Sequence, residues 1–153
     1  IQVDPSFVPA YVELANVYLA RDGGALRALE VVEVGRRRHQ ENEALSLVYV
    51  RVLRRLHRDA DAAQVLRHLV QREPDSAAAH ALRAELARSR GAWSEALASY
   101  RALLRLAEQG SDVTEETAAD ARRNAAALQI LTRGVDPIRT ECEGAVRAAL
   151  CDR

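Results

Sequence analysis

The sequence predicts an all-α fold in which helical hairpins stack one on the next. Three observations carry that expectation. Ala, Leu, Val, Glu and Arg dominate the 153 residues, and Ala, Leu, Arg and Glu lose little conformational freedom on entering a helix. Asp4-Pro5 recurs as Glu73-Pro74, 69 residues later (74 − 5), close to two units of about 34 residues. Each of these prolines follows one helical run and precedes another, where a fixed φ and a missing N–H end a helix at little cost.

The first run carries Tyr11, Leu14, Ala15 and Tyr18, then a turn at Asp22-Gly23-Gly24, then Ala28 and Val32. The second carries Tyr49, Val50 and Leu53, followed by Ala62, Leu66, Leu69 and Pro74. The third contains Gly91-Ala92-Trp93-Ser94-Glu95-Ala96, with Tyr100 four residues on. In these residues the chain resembles the tetratricopeptide repeat family, over roughly residues 4 to 108. Two departures stand out. The turn at Asp22-Gly23-Gly24 is one residue longer than the family's, and Arg83, Ala87 and Glu108 replace two large apolar residues and the terminal Pro.

The resemblance implies a fragment of a right-handed superhelix. Residues 1–108 would form three hairpins (about 8–41, 43–74 and 77–108) preceded by the tail of a missing repeat at Asp4-Pro5. Loss of that repeat would expose an apolar edge at Val8, Tyr11 and Val12. Small residues at Ala15, Val50 and Ala84, and at Ala28, Ala62 and Ala96, would let paired helices approach closely, with Tyr11, Leu14, Tyr18, Leu53, Leu66 and Tyr100 filling the space between pairs.

Residues 109–153 break the pattern and are expected to cap the stack with helices over about 112–132 and 137–150. Thr114-Glu115-Glu116 opens the first of these with acidic residues at the positive end of the helix dipole. Ala121, Ala125, Leu128 and Leu131 mark its apolar stripe. Gly134 ends it, Asp136-Pro137 starts the last helix, and Ile138, Cys142, Ala145, Val146 and Ala149 share one face there.

The charge pattern narrows the function. The 22 acidic residues balance 22 basic ones, so no global field points to nucleic acid or an anionic membrane. All 22 basic residues are Arg. Arg suits bidentate recognition of carboxylates and phosphates, but a genome rich in G and C accounts for the bias more simply. No apolar stretch approaches the roughly 20 residues of a membrane span. His39, His57, His68 and His80 never fall three or four residues apart, and no catalytic or nucleotide-binding motif occurs. Neither an enzyme, a metal site nor a cofactor is expected. Cys142 and Cys151 fall on opposite faces of one helix. A disulfide between them would need that helix to unwind and would imply an extracytoplasmic compartment. The cytoplasm is otherwise expected.

The expected function is to bind a segment of a partner protein in a concave groove. The resemblance places in that groove Val12 and Asn16, then Leu47, Arg51, Arg54 and Arg55, then Ala81, Glu85 and Arg88. Arg51, Arg54 and Arg55 crowd one side of a helix and, with Arg88, would form a positive strip for an acidic or carboxylate-bearing segment. Against this stands a solvated face neutralised by Glu13, Glu43 and Glu85. Two other roles fit the same architecture: a self-assembling or domain-stacking scaffold, and a docking region for an enzyme domain elsewhere in a longer protein.

Overall fold

The computed structural model describes residues 7–132. Asp4-Pro5, the helix expected over 137–150 and both cysteines lie outside the described residues. The fold is all-α: the described residues hold seven helices and no strand. These are α1 (Val8–Leu19), α2 (Ala25–Arg38), α3 (Glu43–Arg55), α4 (Asp59–Arg72), α5 (Ala77–Ser89), α6 (Trp93–Glu108) and α7, which runs over residues 115–132. Each of α1 to α6 packs against its neighbour in sequence, and α1 also meets α3. No helix among these residues is long and apolar enough to cross a membrane.

Short turns fold each helix back on its predecessor. Gly23, His57 and Gly91 all adopt positive φ (74°, 57° and 71°), and both intervals between them are 34 residues (57 − 23 and 91 − 57). After α3 and α5 the turn closes with the hydrogen bonds that end a helix on a left-handed residue. Arg58 N–H donates to the Leu53 carbonyl at 2.9 Å and Ala92 N–H to that of Ala87 at 2.8 Å. The α1–α2 turn is longer, five residues against three. Gly24 is required there, since any Cβ would lie 2.0 Å from the Tyr18 carbonyl oxygen.

The helices that open after these pairs start differently. Asn42 caps α3 through its side-chain oxygen, which accepts from Leu45 N–H at 3.1 Å. Ser76 caps α5 by accepting from Ala79 N–H at 3.1 Å, and Thr114 caps α7 by accepting from Thr117 N–H at 3.2 Å. Each satisfies one of the donors that a helix start leaves unpaired. The Ser76 hydroxyl also donates to Glu43 in the first turn of α3, tying two helix starts together.

The core is divided into three successive clusters. The first joins Ala15 of α1, Ala28 and Val32 of α2, and Val48 and Val52 of α3. The second joins Val50 and Leu53 of α3, Ala62 and Leu66 of α4, and Leu86 of α5. The third joins Ala84 and Ala87 of α5, Ala96, Leu97, Tyr100 and Leu103 of α6, and Ala121, Ala125 and Leu128 of α7. Each cluster therefore seals a pair of helices against the one that follows. The six small residues expected at helix crossings, Ala15, Ala28, Val50, Ala62, Ala84 and Ala96, are fully buried.

Two expectations need correction. Tyr11 is buried rather than part of an exposed edge. Its ring lies against Gly35 of α2, where a methyl group would come within 3.1 Å of both Tyr11 Cγ and Leu45 Cδ2. Val8 and Val12 are half-buried, and the apolar groups that do face solvent at this end are Phe7, Val17 and Leu26. Leu131 is exposed, and the buried stripe of α7 is instead Ala118, Ala121, Ala125 and Leu128. Arg83 replaces packing with charge: its Nε donates to Glu95 Oε1 in the first turn of α6 at 3.0 Å.

Candidate functional site

The nine residues expected in the groove separate into three settings. Arg51, Arg54 and Arg55 project from the last two turns of α3 and share one open recess with His57, Asp59 and Ser89. Ala81, Glu85 and Arg88 line a second cavity of about 340 Å³, closed by Tyr100 and Leu103 of α6 and by Thr117, Asp120, Ala121 and Asn124 of α7. Val12 and Asn16 on α1 and Leu47 on α3 are half-buried and line neither recess. Val12 instead packs against the first core cluster.

Charge within the strip is partly spent. Arg54 Nη1 donates to Glu85 Oε2 at 2.6 Å, so a cation of α3 is held by the carboxylate of the next pair. That contact joins the two recesses. Arg55 lies 3.9 Å from Asp22 with both side chains exposed, a separation at which water and salt screen most of the attraction. Arg51 is exposed and makes no ion pair among the described residues. Of the acidic neighbours expected to neutralise the strip, Glu85 does so, while Glu43 is engaged by Ser76.

Tyr100 forms the back of the second cavity. Burial pushes its phenol pKa up, against the opposing pull of the Arg88 charge and of a hydrogen bond from Arg88. The phenol therefore stays protonated at neutral pH. Glu85 and Asp120 face the same space, and each already meets an arginine outside it, Arg54 and Arg123 respectively.

The sequence reasoning missed the contribution of α7 to this cavity, because only the three-dimensional fold brings Asp120 and Asn124 opposite Arg88. It also missed a stack between α2 and α3, where Arg36 Cζ sits 4.1 Å from the centre of the Tyr49 ring. Two of the histidines hold structural positions. His39 follows α2 with its N–H on the Gly35 carbonyl, and His80 is buried with Nε2 2.9 Å from the Pro74 carbonyl oxygen. No group of three His, Cys, Asp or Glu side chains among the described residues is arranged to hold a metal ion. No protein-family model matches the chain, and no curated protein matches its sequence.

Proposed function

We propose that the chain is a tetratricopeptide-like array, part of a right-handed superhelix, that binds an acidic segment of a partner protein along α3 and α5 and has no catalytic role of its own. Three features support the repeat reading. Left-handed turn residues recur every 34 residues. The small crossing residues Ala28, Ala62 and Ala96 recur at the same interval and are fully buried. Finally, α7 meets the third pair as α3 meets the first and α5 the second.

One observation carries the binding reading: Arg51, Arg54 and Arg55 converge on a single open recess, and only Arg54 is tightly neutralised. Arg51 and Arg55 are therefore available for charge-assisted hydrogen bonds to carboxylates, and Arg88 extends the strip across the next pair. The Arg54–Glu85 bridge removes Arg54 from that set and gives it the task of fixing α3 against α5.

Charge reversal tests the reading. The double variant Arg51→Glu/Arg55→Glu should weaken capture of a fluorescent Glu-rich decapeptide by at least about tenfold, since opposite charges become like charges. Far-ultraviolet circular dichroism should not change, because both residues are exposed. Equal affinity of the variant and the parent chain would dismiss the binding face.

A further inference from the structure

The helices that open a pair are apolar on two sides. Val48 and Val52 of α3 meet the preceding pair, while Val50 and Leu53 meet α4. On α5, Leu86 meets the preceding pair, while Ala84 and Ala87 meet α6. On α7, Ala121, Ala125 and Leu128 meet the third pair. The other side of α7 is apolar as well. Ala126, Ala127 and Ile130 are exposed there, and two residues of helix turn Ile130 about 200° from Leu128. Ile130 is 74% exposed, the most of any large apolar side chain among the described residues, and Leu131 beside it is 52% exposed. The corresponding face is covered in α3 and α5.

The 21 residues that follow α7 (153 − 132) carry what such a cover requires. Gly134 is the residue type that takes positive φ in the turns at Gly23 and Gly91. Residues 133–136 give a connection of four, between the three and five residues of the turns inside the existing pairs. Beyond it, Ile138, Cys142, Ala145, Val146 and Ala149 recur at helical spacing. Cys142, Ala145 and Ala149 are small, as are the buried crossing residues Ala28, Ala62 and Ala96. Thr140, Glu143 and Arg147 fall on the opposite side, which would supply the polar outer surface that the end of a stacked array needs. So short a connection sets an effective concentration in about the millimolar range, which favours this segment over a second copy of the chain.

We propose that residues 137–150 pack as a helix on the Ala126–Ile130 face of α7, which makes α7 the first helix of a fourth pair rather than the end of the stack. The assignment rests on the pairing of α1 to α6 and not on Arg51, Arg55 and Arg88, so it stands whether or not the groove binds an acidic segment. It puts Cys142 inside the contact and Cys151, nine residues on and about 180° away, outside it.

The two thiols report on that contact. The full 153-residue chain, kept reduced, is alkylated with N-ethylmaleimide in native buffer and in urea, and each cysteine is followed by peptide mass spectrometry. With the urea rates as reference, Cys142 should react at least about tenfold more slowly than Cys151. Ile130→Asp, and independently Ala126→Asp, should remove most of that difference, and both sites are exposed, so neither change disturbs the core. Arg51→Glu should leave the difference unchanged. Loss of protection in either α7 variant supports the proposal. Equal rates in the parent chain, or a difference that persists in both α7 variants, overturns it. A difference that fades on dilution overturns it too, since the cover would then be a second copy.

Discussion

Two kinds of turn alternate along this molecule and solve the same problem by different chemistry. Between the helices of a pair the chain reverses through one left-handed residue, Gly23, His57 or Gly91, and the next helix starts without a side-chain cap. Between pairs the chain stays extended at Asn42 and Ser76, and the side chain closes the new helix. The first kind relies on backbone stereochemistry and spans three to five residues. The second relies on a polar side chain and leaves room for the next pair to be placed. A short turn sets the angle within a pair, and a capped junction sets where the next pair begins.

Removing the capped junctions should have the largest effect. The double variant Asn42→Ala/Ser76→Ala should lower stability by about 2 kcal/mol, near 1 per cap, measured by urea denaturation. Ser76 should contribute the larger share because its hydroxyl also engages Glu43. A loss below a few tenths would mean that water replaces both caps.

The left-handed turns should respond next. Gly91→Ala meets no steric obstacle, its nearest neighbour being Trp93 Cζ2 at 3.8 Å, so the penalty is conformational alone, about 1 kcal/mol. The smallest effect carries the opposite sign. His57 already bears the left-handed strain that Gly23 and Gly91 avoid, and His57→Gly should raise stability by about 0.5 kcal/mol after the glycine's own entropy cost. Thermal unfolding of the two single variants shows whether the turns are equivalent. Shifts of the same sign would break the comparison.

The fold was legible where it rests on periodicity. Ala28, Ala62 and Ala96 declare helix crossings because only a small side chain allows close approach, and each is buried without residual exposure. What escaped is whatever depends on a partner in another helix. Nothing in the run around Tyr11 indicates that Gly35 opens a slot for its ring, and an edge position therefore became a core one. The same reason limits the site. Arg51, Arg54 and Arg55 were recognisable as neighbours from their spacing on one helix, but the claim of Glu85 on Arg54 spans 31 residues. The stack of Arg36 on Tyr49 crosses from α2 to α3 in the same way. Both residues carried helical spacing, and neither carried a sign of the other.

The division of the interior into three clusters, each shared by a pair and its successor, makes the chain modular. Excising the middle pair would set α5 against α1 and α2 in the place of Val48 and Val52 of α3, whereas a one-residue slip inside a helix would rotate all that follows by about 100°. Tolerance to a change of length is therefore lowest inside a helix and greatest at the junctions between pairs.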